Sequence, residues 1–230
     1  MKTRLAKALS SKGYCSRRNA EKLILTGRVK VNGIQVREVV SFVSDEDKLQ
    51  VEGFAEPESL KKLWIYHKPK GLITTYSDPL NRNTVFQNFP LDTSGHLVSV
   101  GRLDINSEGL LLMTTCKTLA HNLEHPENEF ARVYKVRTFG DLSDDVLQIK
   151  HGIIIKGIKY KPIEINVLQR GVNSWLEMTL FEGKNREIRK ILEHFALQVN
   201  RLIRTNYGPF SLGDLKPGQA MEVSINKLKL

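Results

Sequence analysis

With 230 residues, 40% hydrophobic and 26% charged, the chain has room for one large domain or two smaller ones, and its composition is that of a folded globular protein rather than a disordered one. Its longest apolar runs, such as Leu110 to Met113 and Ile153 to Ile155, fall far short of the roughly 18–20 residues that span a bilayer, and Lys7, Ser10, Ser11 and Lys12 interrupt any signal-peptide hydrophobic segment. The formal net charge is +10, and residues 1–37 carry ten of the 35 basic residues against a single acid, Glu21, which leaves residues 38–230 at only +1.

Charge concentrated in this way favours a polyanion such as nucleic acid as partner, because each phosphate neutralised releases counterions. Two cysteines, Cys15 and Cys116, cannot build a disulfide framework, so the expected compartment is a reducing cytoplasm.

Leu5, Ala8 and Leu9 recur at helical spacing before Gly13. Ser16 then suits a helix N-cap, with Ala20, Leu23 and Ile24 on one face and Gly27 as the stop. Alternating apolar residues around Asn32-Gly33, from Val29 to Val36, predict a hairpin. Residues 39–51 predict a further strand or two around the turn Ser44-Asp45-Glu46-Asp47. The polar, proline-containing stretch 54–61 lacks periodicity and is expected to be a linker between domains at 1–53 and 62–230.

Beyond it the pattern is short strands, predicted at 63–66, 97–100, 110–115, 133–138, 153–156, 163–169, 175–181 and 198–204, with helices at 118–124, 143–150 and 185–195. Strands outnumber helices without regular alternation, which predicts an α+β chain with a mixed, largely antiparallel sheet. The C-terminus, ending at Leu230, reads as a short basic strand-like tail.

Several chemistries are excluded. The two cysteines lack partners at metal-ligand spacing, and His121 and His125 share a helix face without a third ligand. Gly152 to Gly157 has the glycine spacing of a P-loop, but Ile158 follows where lysine is required. No Gly-x-Ser-x-Gly elbow occurs. One carboxylate stands out: Asp104, in Gly101-Arg102-Leu103-Asp104-Ile105-Asn106-Ser107-Glu108-Gly109, sits on a loop between two apolar strands, where functional side chains concentrate. Local spacing alone favours a cap on the turn Asp104-Ile105-Asn106-Ser107.

Gly13, Ser16-Arg17-Arg18, Ala20, Gly27 and Val29-Lys30-Val31-Asn32-Gly33 resemble the S-four type RNA-binding domain, a small helix-and-hairpin module. That likeness implies phosphate contacts from Arg4, Arg17, Arg18 and Lys30. Further on, Lys68-Pro69-Lys70-Gly71, Arg102-Leu103-Asp104, Arg132-Val133-Tyr134-Lys135-Val136, the run from Glu182 to Lys190, and Leu202-Ile203-Arg204 with Gly208 together resemble an RNA pseudouridine synthase, of the branch of ribosomal small-subunit synthase A and large-subunit synthase B.

The resemblance implies a catalytic domain of that type, with three catalytic residues. Asp104 matches the single aspartate that starts the isomerisation of uridine at the ribose, by attack at C1′ or by removing a proton from C2′. Tyr134 matches the tyrosine that packs on the target base, and Arg189 the basic residue that pairs with the aspartate. Arg102 matches a residue that holds the target nucleotide out of its helix, and Arg186 is expected among the RNA contacts. Lys68-Pro69-Lys70-Gly71 is expected to be a pocket-side loop, structural or RNA-facing.

Ser107 stands where the family usually has threonine, and Thr114-Thr115-Cys116-Lys117 replaces its more common Thr-Asn-Asp-Gly turn. The Asn185-Arg186-Glu187-Ile188-Arg189 form is closer to the large-subunit branch. The implied partner is structured ribosomal RNA or a ribosomal assembly intermediate, bound by a monomer and not at a membrane. Neither cofactor nor metal is expected, because the isomerisation is redox-neutral. The competing expectations are a non-catalytic RNA-binding assembly factor and, more remotely, a glycosidase pairing Asp104 with Glu108.

Overall fold

Local signals build the N-terminal part as the spacing predicts. In the computed structural model, which describes residues 2–54, 62–93 and 96–225, strand β1 (Thr3–Arg4) leads into helix α1 (Leu5–Ser11), and α2 (Arg17–Leu25) follows. The Ser16 hydroxyl accepts the Asn19 N–H at 3.2 Å, satisfying one of the amides that a helix start leaves free. Strands β2 (Val29–Val31) and β3 (Ile34–Val36) pair antiparallel across Asn32 and Gly33, whose φ values of 52° and 83° are those a tight primed hairpin turn demands. Strand β4 (Phe42–Val43) pairs with β1, and β5 (Leu49–Val51) with β2. Leu5, Leu9, Ile24, Val29 and Val51 meet in one small core.

The remainder forms a larger sheet. Its elements are β6 (Leu63–Lys68), β7 (Val98–Val100), β8 (Glu108–Thr114), α3 (Lys117–Glu124), β9 (Arg132–Phe139), β10 (Ile153–Ile155), β11 (Ile158–Tyr160), β12 (Glu164–Gln169), β13 (Asn173–Leu180), α4 (Glu187–His194), β14 (Gln198–Tyr207), β15 (Phe210–Ser211) and β16 (Ala220–Glu222), with 3₁₀ turns at Pro126–Asn128 and Asp144–His151. Among the described residues the strand order of the larger sheet is β12-β13-β9-β14-β8-β6-β16, with β7 added to β8 and β15 to β14, while β10 and β11 pair only with each other as a separate two-stranded ribbon. Every pairing is antiparallel except β14 with β8.

Strands β6 and β8 are buried at every position, which explains their unbroken apolar runs. Leu63, Ile65, Leu110 and Leu112 pack to one side, and Trp64, Tyr66, Leu111 and Met113 to the other. A third cluster lies between β9, β13 and α4, around Val136, Leu176, Met178, Ile188 and Ile191. The two parts of the chain touch where the Lys117 ammonium donates to the Cys15 carbonyl at 3.0 Å and to the Ser10 hydroxyl, and where the His96 amide donates to the Gly13 carbonyl at 2.8 Å.

One strand edge creates the opening for a site. Against β6, β8 pairs from Gly109 to Thr114. Its other edge pairs with β14 at Glu108 and Gly109, then with β7 from Leu112 to Thr114. The loop 101–107 leaves the sheet at this hand-over.

The expected α-helix at 143–150 is a 3₁₀ helix, Asp144–His151. The helix expected from 185 starts at Glu187, because Arg186 is left-handed (φ 52°, ψ 35°). Strands β1, β11, β15 and β16 were not expected from local pattern. The tail at 226–230 and all of the expected linker except Phe54 lie outside the described residues.

Gly109 has φ 105°, and a Cβ there would stand 2.3 Å from the Arg204 carbonyl oxygen. Gly109→Ala therefore combines backbone strain with a clash that only strand separation relieves. It is expected to cost roughly 3 kcal/mol, lowering the melting temperature by about 6–12 °C. A melting temperature within a degree or two of wild type would contradict this close approach.

Candidate active site

Three consecutive facts place Asp104. The end of β6 carries Lys68, which is fully buried. Its ammonium donates to the carbonyls of Ser107 (2.8 Å), Asp104 (3.1 Å) and Pro69 (3.1 Å). The segment after it adds the Gly71 amide, donating to the Ile105 carbonyl at 2.8 Å, and the Thr74 hydroxyl, donating to the Leu103 carbonyl at 3.0 Å. Loop 101–107 is thereby fastened through its main chain while the Asp104 carboxylate, 34% exposed, faces an open cleft. Burial drives the Lys68 pKa down to about 8, against the pull of the Asp104 and Glu108 charges.

The cleft has a volume of about 980 Å³ and is lined, among the described residues, by eight Lys or Arg side chains and four Asp or Glu. Tyr134, half-buried on β9, lines it too, opposite Arg204 of β14 and Met178 of β13 in the sheet ladder. Arg204 is 3% exposed; its Nε donates to the Leu110 carbonyl at 2.7 Å, and its guanidinium lies 5.1 Å from the centre of the Tyr207 ring.

The expected Arg189–Asp104 pair is not the one the structure forms. The carboxylate's ion-pair partner is Arg186, with Nη1 3.9 Å from Oδ2. The reason is local: left-handed Arg186 precedes α4 instead of forming its first turn. Arg189 lines the same cleft but donates Nη1 to the Val199 carbonyl and Nη2 to the Asn106 carbonyl, each at 2.9 Å. It thus clamps β14 to the Asp104 loop. Burial and neighbouring Arg186 lower the Arg189 pKa, and Asp104 acts in the opposite sense. Arg102 is exposed on the cleft wall.

Glu108, the candidate second carboxylate, is held by Arg201 at 2.5 Å and is not among the cleft-lining residues. His121 and His125 meet edge to face, 5.9 Å apart. Arg4, Arg17, Arg18 and Lys30 are all exposed on the N-terminal part. Arg17 lies 3.9 Å from Glu21 and lines a smaller cavity of about 300 Å³ shared with Tyr76, His96 and Lys117.

Sequence reasoning missed the structural centrality of Lys68, the part of Arg186 and the pairing of half-buried Glu182 with buried Glu187. The Lys68-Pro69-Lys70-Gly71 stretch signalled a loop near the pocket, but nothing local signals that a lysine will be fully buried.

The sequence profile described as RNA pseudouridylate synthase matches residues 62–194, more than half of the chain. The chain belongs to the RNA pseudouridylate synthase family. The profile of the S4 domain matches residues 3–49, so this RNA pseudouridine synthase, an isomerase, carries an N-terminal RNA-binding module. It is 49% identical, over 98% of its length and 95% of the relative's, to an uncharacterized RNA pseudouridine synthase of Rickettsia prowazekii (strain Madrid E). It is 37% identical, over 92% of its length and 69% of the relative's, to ribosomal large subunit pseudouridine synthase B of Yersinia pestis. A crystal structure of a pseudouridylate synthase shares the fold, with a TM-score of 0.69 at 24% identity over 97% of both chains.

Replacing Lys68 by Met leaves carbonyls of the Asp104 loop buried without a donor. The expected cost is roughly 2–6 kcal/mol, at about 1–3 kcal/mol for each of the two unsatisfied carbonyls, and amide exchange should accelerate at residues 103–107 more than elsewhere. Exchange that changes uniformly along the chain would contradict a local fastening.

Proposed function

We propose that the synthase converts uridine in large-subunit ribosomal RNA to pseudouridine, in the cytoplasm, with residues 62–230 catalytic and residues 1–53 recruiting structured RNA. The observation that carries this reading is the Asp104 carboxylate, fastened through its main chain and exposed at the floor of a cationic cleft beside Tyr134 and Arg186. The relative named large subunit pseudouridine synthase B supports the choice of RNA.

In this reading the excess of cations draws the phosphate backbone over the cleft. The target uridine leaves its helix at a cost of a few kcal/mol, and stacking on Tyr134 returns about 1–3 kcal/mol. Arg102 occupies space beside the displaced nucleotide. Asp104 then acts at the ribose: the C1′–N1 bond breaks, the uracil turns within the cleft, and a C1′–C5 bond forms. The proton on C5 is lost and N1 gains one, so nothing is released and no electrons are exchanged. Arg186 pairs with the carboxylate as water is excluded. Tyr134 is positioned to assist removal of the C5 proton.

Large-subunit rRNA transcripts carrying tritium at uridine C5 should lose it to water on incubation with the protein alone, since C5 gives up its hydrogen when it joins C1′. Small-subunit transcripts should not. Salt-sensitive binding without tritium release from either would favour an assembly factor. Replacing Arg17, Arg18 and Lys30 together by Gln should make the plot of log affinity against log salt shallower by about 2–3, at roughly 0.7–0.9 per lost phosphate contact. An unchanged slope would move the electrostatic contacts to the catalytic domain.

A further inference from the structure

Arg186 lies in a loop that also carries two acidic side chains, Glu182 and Glu187. Glu187 opens α4 and is 4% exposed. One of its oxygens, Oε2, accepts the Lys184 N–H at 2.9 Å, and its own N–H donates to the Lys184 carbonyl at 3.2 Å. Its other oxygen, Oε1, is buried and receives no N–H or O–H from any described protein donor. The Glu182 carboxyl lies close enough to the Glu187 carboxyl to interact with it. Two carboxylates cannot bond to each other without a proton between them.

The surroundings localise that proton. Glu182 is committed as an anion, accepting the Lys161 N–H at 2.8 Å and bonding the Lys184 ammonium, and its pKa is lowered. Burial and the Glu182 carboxyl push Glu187 up to about 7, while Lys184 acts in the opposite sense. The other charged groups around the pair are engaged elsewhere or face away. The Lys161 ammonium bonds Glu129 at 2.9 Å, Lys190 reaches Asn185 at 3.5 Å, Arg132 bonds the Phe130 carbonyl at 3.4 Å and the Tyr207 hydroxyl at 3.3 Å, and Arg189 bonds main-chain carbonyls. Tyr160 presents its ring, not its hydroxyl, to Lys184.

We propose that Glu187 is a positioning residue: the proton it shares with Glu182 closes the 182–187 loop and so holds left-handed Arg186 within reach of Asp104. When that proton goes to solvent, two adjacent carboxylates repel, the loop opens and Arg186 leaves the carboxylate. The proposal rests on the reading of Asp104 as the reacting group. Glutamine is the isostere of the protonated acid, since its NH₂ donates to Glu182 and its carbonyl accepts the Lys184 N–H.

The test uses the full-length protein at saturating concentration, in single turnovers on a tritiated large-subunit rRNA transcript, from about pH 6 to about pH 8.5. Wild type should slow about tenfold or more above a midpoint near 7, as expected for a single required proton. E187Q should show no step there, and E187A should be slow throughout. A wild-type profile without a step near 7, or one that E187Q retains, overturns the proposal.

A second measurement is independent of turnover. The folded-state pKa lies above the unfolded carboxyl value, so the pair's stabilisation is complete below the unfolded value and is lost as pH rises through about 7. The wild-type melting temperature should therefore fall from pH 6 to pH 8 more than that of E187Q. Equal falls overturn the proposal. If wild type releases no tritium at any pH, the functional reading fails and the melting arm still decides the shared proton.

Discussion

The arrangement of the active site depends on a buried lysine that bonds carbonyls instead of a carboxylate. Lys68 brings a charge into the interior, which is costly unless its donors are satisfied. Here the three donors meet three main-chain carbonyls, two of them from the Asp104 loop. The loop cannot move without stranding that charge. The short loop that carries Asp104 is thus anchored through its main chain, while the carboxylate itself faces the cleft. The guanidinium of Arg186 lies 3.9 Å from the carboxylate.

Sheet topology supplies the space. One edge of β8 is shared, first by β14 and then by β7, and the loop connecting β7 to β8 emerges where the two partners part. Gly109 allows β14 to approach the start of β8. The antiparallel pairing of β14 with β9 then sets Tyr134 opposite Arg204. Arg189 ties the same loop to β14 from the other side. The carboxylate, the aromatic ring and the arginines come from segments distant in sequence, assembled by a single strand junction.

What could be read from the sequence was whatever is encoded within a few residues. The Ser16 cap, the Asn32-Gly33 turn and the strand expected at 175–181 are short-range signals, and each is seen in the structure. The loop bearing Asp104 was visible because apolar strands bracket it. Lys68, by contrast, meets partners 36 and 39 residues away. Its burial therefore follows from the tertiary fold and leaves no local trace. Arg186 was misjudged for a related reason. Helical periodicity extends back to residue 185, but the buried Glu187 carboxyl accepts the Lys184 amide and the helix starts two residues later, leaving Arg186 left-handed and exposed. The edge strand β16 is too short for any pattern, being fixed by its partner β6.

The central claim is that one carboxylate performs the chemistry and that the remaining residues bind and orient. Asp104→Asn tests it most directly, measured for both transcript affinity and tritium release. The account predicts affinity within about twofold of wild type and release slowed by about 10³-fold or more, the loss expected when a group acting in the transition state is removed. Turnover by Asp104→Asn within tenfold of wild type would remove Asp104 from the mechanism and contradict the account.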